Sequence, residues 1–437
     1  MPRQLLILGA AGKDFHVFNT LYRGNDQTHV VAFTAAQIPG IDGRRYPPEL
    51  AGPGYPQGIS IEAEEQLEEI VRSRAVDDVL FAYSDVSYEH VDALRKRAEA
   101  AGASFATPDP RALMLPSTRP VVAVCAVRTG CGKSQTSRRV VQILRDLGKR
   151  VVVVRHPMPY GDLVAQRVQR FATLDDMQKH DCTIEEMEEY EPHIRNQAVV
   201  YAGVDYAAIL AEAVQEADVV VWDGGNNDTP FFAPTLHITL VDPHRPGHEI
   251  SHYPGRENLE LADVVLFNKI DSAAPENVAA VEENVRRLNP ESIRIHASSP
   301  IHVQDPEKIR GRRVVVVEDG PTLTHGGMKF GAGMLAARQH DAEVVDPRPW
   351  LVGSIAETFR IYPAIGTLIP AMGYGEQQMR DLEATINAVD CEAVIVATPI
   401  DLGRILKLEK PATRVTYELD DSGSEPDLEQ VLRTRLT

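Results

Sequence analysis

The chain has no C-x-x-C pair, no apolar run near the roughly 20 residues of a membrane span, and no surplus of positive charge. Each absence removes a class of protein. Its four cysteines, Cys125, Cys131, Cys182 and Cys391, stand far apart except for the first two, so neither a disulfide framework nor a zinc site is suggested. The N-terminus, MPRQLLILGAAGKDF, reads as a strand and lacks a signal-peptide cleavage pattern. A cytoplasmic protein with no membrane partner is expected. The formal charge of −18 argues against a nucleic-acid backbone as partner, so any phosphate must sit in a local basic pocket. There is no internal repeat and no low-complexity tract.

What is present is a chain of 437 residues, about three times a typical domain, which implies two or three cores. Its centre is Arg119 to Ser137, where the β-branched run Val121, Val122, Val124 and Val127 stops at Thr129-Gly130-Cys131-Gly132-Lys133-Ser134 and a helix-compatible segment begins at Gln135. Strand, glycine-rich turn, Lys-Ser and helix is the order a phosphate cradle needs, because backbone amides and a helix N-terminus then face the anion. Lys133 is expected at the β/γ-phosphates and the Ser134 hydroxyl on Mg²⁺. The loop fits the tail of the motif better than its head, since Val127 stands where the first glycine belongs. Cys131 is a small residue filling the turn or a redox-sensitive thiol.

Around this centre the pattern is α/β. Strands and helices alternate before residue 115, with a glycine-rich first turn, Gly9 to Gly12, and Phe15 where a dinucleotide fingerprint has its third glycine. That turn is a tight turn or a second nucleotide site. The expected domains are a Rossmann-like unit over 1–115, a P-loop NTPase unit with a mostly parallel sheet over 116–320, and a smaller α/β region over 321–437. Arg155, His156 and Asp162 leave a strand beside the phosphate loop, as substrate or magnesium-water contacts or in a proline-stiffened loop. Glu185 to Glu191 is expected as a solvated helix face, with metal binding or electrostatic gating as the alternative. An apolar strand ending at Asp223, followed by Gly224-Gly225, is what an Mg²⁺-holding Walker B element looks like. Asn268-Lys269-Ile270-Asp271 after another buried strand reads guanine in GTP-binding proteins. Between Glu318 and Gly333, glycines with His325 and Lys329 precede a helix and predict a second anion site.

The segments GAAGKDFH, RTGCGKSQTSR, RHPMPYGDL, TIEEMEEYEPH, DGGNND and THGGMKFGAG together resemble the cyclic 2,3-diphosphoglycerate synthetase family over nearly the whole chain. The resemblance implies a synthetase that couples nucleoside triphosphate hydrolysis to closing a phosphoanhydride in a phosphorylated small acid, with ATP or GTP and Mg²⁺ bound and a homodimer as the commonest assembly. In that reading Thr129, Gly130, Cys131, Gly132, Lys133, Ser134 and Gln135 hold the nucleotide phosphates, and Asn268, Lys269 and Asp271 hold its base. Ser134 and Asp223 hold the metal. Lys133, Asp223, Arg155 and His156 carry catalysis, while Arg155, His156, His325 and Lys329 supply positive charge to the substrate phosphates. The alternative reading is a regulatory or metal-delivery P-loop GTPase.

Overall fold

Runs of Val, Ile and Leu buried on both faces dictate parallel strands covered by helices, and the chain builds three such sheets. The structure, a computed structural model, describes residues 2–36, 41–158, 161–225, 227–324, 328–371 and 375–436. In the first sheet Arg3–Leu8 is central, flanked by Thr28–Ala35 and Asp78–Phe81, all parallel. Its glycine turn ends the first strand at the edge that faces the second sheet. Ile59–Ala63 is a parallel strand and the α-helix Leu67–Ser73 follows it. Ile59 and Ile61 alternate inward, the period of two that a strand requires.

The second sheet has eight strands, parallel except where the edge strand Gln169–Phe171 pairs with Val199–Ala202. Its middle is Val151–Arg155, Val219–Gly224, Val121–Ala126 and Leu236–Val241 in that spatial order. The carboxyl ends of these strands therefore bring Arg155, Asp223 and the phosphate loop side by side, where ligands bind in open α/β sheets. The third sheet centres on Arg313–Asp319 and Ala393–Ala397. It also contains Ile301–Val303, so the passage between the second and third sheets lies before residue 301 rather than at 320. The chain then returns: Leu419 and, from the last helix Leu428–Leu436, Leu428, Val431 and Leu432 pack in the core of the second sheet. The first two units are stitched by an antiparallel pair, Val86–Ser87 with His252–Tyr253. Among the described residues no helix is long and apolar enough to cross a membrane.

Candidate functional site

The phosphate loop is shaped from behind. Three consecutive carbonyls are each held by a side chain from a neighbouring strand end: Arg245 donates to Thr129 O at 2.8 Å, Lys269 Nζ to Gly130 O at 2.6 Å and Asn268 Nδ2 to Cys131 O at 2.8 Å. A trans peptide sets its N–H opposite its C=O, so the amides of Gly130 and Gly132 turn away from these donors, toward the ligand face. Asp242, buried between Arg245 and Lys269, fixes both cations at 3.1 and 3.0 Å. Their charges hold its carboxyl at about 2 despite burial. Gly132 is required here. Its φ is +101°, and an added Cβ would lie 2.1 Å from Asn268 Nδ2. Asn268 and Lys269 thus brace the loop. Asp271 is exposed and accepts the Ser299 amide at 3.1 Å, while Ser299 Oγ donates to Gln135 at 3.1 Å. Cys131 is buried, which pushes its thiol up to about 11, so it fills the turn and supplies no reactive thiolate.

Asp223 is the hub of the site. Lys133 Nζ donates to its carbonyl at 2.6 Å and to Oδ1 at 2.8 Å, and Ser137 Oγ donates to Oδ1 at 2.6 Å. Arg155 donates to Oδ2 at 2.6 Å, and His193 Nε2 lies 3.3 Å from the same oxygen. Burial alone would raise this carboxyl, but Arg155 and Lys133 hold it well below the usual range. The other amino group of Arg155 pairs with Glu189 at 2.6 Å, and Ser134 Oγ lies 3.4 Å from that carboxylate. Arg155 is therefore committed to two carboxylates. The helix Ile184–Arg195, expected as a solvated face, turns Glu189 into the site. Its Glu186 is buried, closing a capping box with Thr183 and accepting the Met158 amide at 2.7 Å. That T-x-x-E box was legible in the sequence. Ser137 could also have been read, one helical turn after Lys133 on the same face. Glu189 and His193 become visible only once the helix is docked.

The first unit adds residues that no motif announced. Asp85, with φ +66°, accepts Thr129 Oγ1 at 2.6 Å and pairs with Arg128 Nε at 2.9 Å. Burial raises its carboxyl against the pull of Arg128. The phosphate loop is thereby tied to the neighbouring domain. His156 sits at the same junction among Tyr206, Trp222 and Phe231. Burial, with Arg155 and Lys133 nearby, drives its pKa well below the ordinary value. It is a neutral imidazole and not the positive charge expected of it.

The other two glycine turns hold anions that belong to the chain itself. The amides of Ala11, Gly12 and Phe15 donate to Asp14 at 2.9, 3.1 and 2.7 Å, so the first turn is a tight turn closed on its own carboxylate. In the third unit the amides of Gly331 and Met334 donate to Glu318 Oε1 at 3.1 and 2.9 Å. These two amides of the expected second anion site are occupied by the side chain at the end of the preceding strand. Lys329 is exposed and His325 lies outside the described residues. Asp162 caps its own turn through the Val164 amide at 2.9 Å.

Magnesium was expected at Ser134 and Asp223. The hydroxyl of Ser134 beside Glu189, with Asp223 at the adjacent strand end, is the hard-oxygen donor set that ion takes alongside phosphate, so the residues fit it. Among the described residues no group of three or more His, Cys, Asp or Glu forms a metal site by itself. Two surface hollows, one lined by Arg45, Tyr55 and Arg74 and the other by Tyr88, Arg256 and Glu260, contain no residue of the phosphate loop.

No protein-family model matches the chain. It is 57% identical over 431 residues to the arginine synthetase ArcE of Thermococcus kodakarensis, covering 98% of this chain and 96% of that one. Among solved structures, LpxK from Aquifex aeolicus in complex with ATP matches 74% of this chain and 90% of its own at 11% identity, TM-score 0.46. A ParA family ATPase from Chlorobium tepidum matches 41% and 84% at 11% identity, TM-score 0.25. The near-full-length identity overturns the cyclic 2,3-diphosphoglycerate reading and its phosphorylated-acid substrate: the segments that carried the resemblance lie within a chain matched to a synthetase of another product. The enzyme class, a synthetase, stands as expected. The chain belongs to the arginine synthetase ArcE family.

Proposed function

We propose that the protein is a P-loop, nucleoside-triphosphate-dependent ligase whose product is arginine. The observation that carries this reading is the 57% identity over 98% of the chain, and the phosphate loop supplies the chemistry it needs. A guanidinium made at the expense of a phosphoanhydride requires an oxygen leaving group on the guanidino carbon. The ureido analogue of arginine, with ammonia as the second substrate, provides one. Its oxygen takes the γ-phosphoryl group, and nitrogen then displaces phosphate.

In this scheme the amides of Gly130 and Gly132 cradle the triphosphate, and its arrival draws Lys133 from Asp223 toward the β/γ-phosphates. Asp223 stays paired with Arg155 and Ser137, so its charge is not stranded in the interior. Such phosphoryl transfer rests on positioned positive charge rather than covalent help from the protein. Mg²⁺, when bound, would be held by Ser134 with Asp223 and Glu189 and would screen the phosphate charge. Asn268 and Lys269 keep the loop in register with the base, beside Asp271.

The experiment is steady-state turnover with L-citrulline, ammonium and either ATP or GTP, with arginine followed by mass spectrometry. Arginine forming together with nucleoside diphosphate and phosphate in equal amounts is the expected result. Nucleotide turnover that ignores citrulline and ammonium sinks the proposal. Running Asp271→Ala with both nucleotides assigns the base contact.

A further inference from the structure

At the junction of the first two units lies a buried polar cluster that the phosphate loop does not use. Asp228, Lys13, Ser84 and Tyr253 are 4, 4, 3 and 3% exposed. Ser84 Oγ donates to Asp228 Oδ1 at 2.5 Å and Lys13 Nζ to the Tyr253 hydroxyl at 3.3 Å. Facing them is the His156 ring, whose Nε2 is buried and makes no hydrogen bond among the described residues. It lies 3.6 Å from Asp228 Oδ2, beyond hydrogen-bond reach. Two polar atoms at that spacing are bridged by a single small hydrogen-bonding molecule placed at ordinary distance from both. The ring is packed so closely that a Cβ on Gly12 would lie 2.6 Å from Nδ1, and one on Gly225 would lie 3.0 Å from Cγ. Asn227, the residue before Asp228, donates to Thr129 Oγ1 at 3.2 Å, which sets the pair beside the phosphate loop.

We infer that Asp228 and His156, with Ser84 behind them, form the ammonia site of this enzyme. The inference rests on the arginine-forming reading above. Neutral His156, protonated on Nδ1, accepts one N–H of ammonia at Nε2, and Asp228 Oδ2 accepts another. The nitrogen lone pair is left facing the activated ureido carbon. As the C–N bond forms, the C–O bond to the transferred phosphoryl group breaks and phosphate leaves with its electrons. The proton shed by nitrogen passes to Asp228. Ser84 orients the carboxylate, and Lys13 offsets its charge in the closed interior. The first unit then has a catalytic purpose, because it contributes Ser84 and Lys13 and seals the nucleophile from bulk water.

The test is steady-state kinetics of the full-length enzyme with ammonium chloride varied against saturating nucleotide and L-citrulline. For Asp228→Asn, the KM for ammonium rises about tenfold or more, the loss of a charge-assisted hydrogen bond. The KM values for nucleotide and citrulline stay within about twofold. Ser84→Ala, which keeps the carboxylate, shifts the ammonium KM in the same direction by less. It decides the matter if Asp228→Asn does not fold. An unchanged ammonium KM in both variants, or all three KM values rising together, overturns the site while leaving the ligase reading intact. Wild-type enzyme that makes no arginine from these substrates overturns both.

Discussion

Two turns of this molecule share one local recipe and end in opposite states. The phosphate loop and the turn ahead of the helix Ala332–Gln339, which in the third unit comes after a short helix, Gly320–Thr324, each bring glycine to a helix N-terminus, an arrangement that favours an anion. In the third unit the anion is Glu318, the chain's own carboxylate, bound by the Gly331 and Met334 amides. An added Cβ on Gly331 would lie 2.0 Å from it, so the fit is closed. Among the described residues no carboxylate caps the Gly130 and Gly132 amides, and Asp85 takes only the neighbouring Thr129 amide, at 3.4 Å. Lys269, Arg245 and Asn268 hold the carbonyl side, and Asp223 stores the lysine. The first-unit turn, closed by Asp14, falls with Glu318. Glycine-rich geometry makes an anion site, and the position of the nearest carboxylate decides whether a ligand can use it.

The contrast can be broken most severely at Lys133. Lys133→Ala is expected to lower turnover by roughly a hundredfold to a thousandfold, the scale for removing a charge-stabilising donor. The fold survives because Asp223 keeps Arg155, Ser137 and His193. Turnover measured beside a circular dichroism spectrum checks this, and retained activity contradicts the site. A smaller effect is expected from Asp85→Ala. Releasing Thr129 loosens the loop and raises the nucleotide KM about tenfold, with less change in kcat. Equal loss in both terms would instead mark a damaged catalytic step.

The smallest effect on activity, and the sharpest on the comparison, belongs to Glu318. Burial raises its carboxyl from 4.5 to about 7, against the Met334 and Gly331 amides. An acid raised on folding binds its proton more tightly in the native state. Its ionisation therefore lowers stability as pH climbs from 4.5 toward 7, and the penalty persists above. Glu318→Gln keeps an Oε1 acceptor for both amides and has no charge to bury. It should flatten that slope and gain up to about 3 kcal/mol relative to wild type above neutrality. Urea unfolding on the acid and alkaline sides of that window checks it, with turnover unchanged. A wild type equally stable on both sides would show that Glu318 ionises freely.

Much of the architecture was legible. Val121–Ala126 and Val264–Phe267 are uninterrupted apolar runs, and such runs have one stable place, the interior of a parallel sheet. The place of Gly132, Lys133 and Asp223 just after or at the ends of such strands was readable from the strand–turn–helix order. The roles of Arg155 and His156 were not. Both were expected to offer positive charge, yet Arg155 is neutralised by Asp223 and Glu189, and His156 is discharged by aromatic burial. A side chain's charge state depends on neighbours brought from afar.

By itself, then, the sequence determined the strand–loop–helix core, the place of Gly132, Lys133 and Asp223 at its strand ends and the acidic, helix-covered α/β character, because these follow from local periodicity and backbone chemistry. Only the tertiary structure decided which glycine turn stays open, that Asp85 and Ser84 reach in from the first unit, and that the last helix returns to the second core. Those outcomes depend on Coulomb and hydrogen-bond terms between groups far apart in the chain, and their separation is set only when the domains pack.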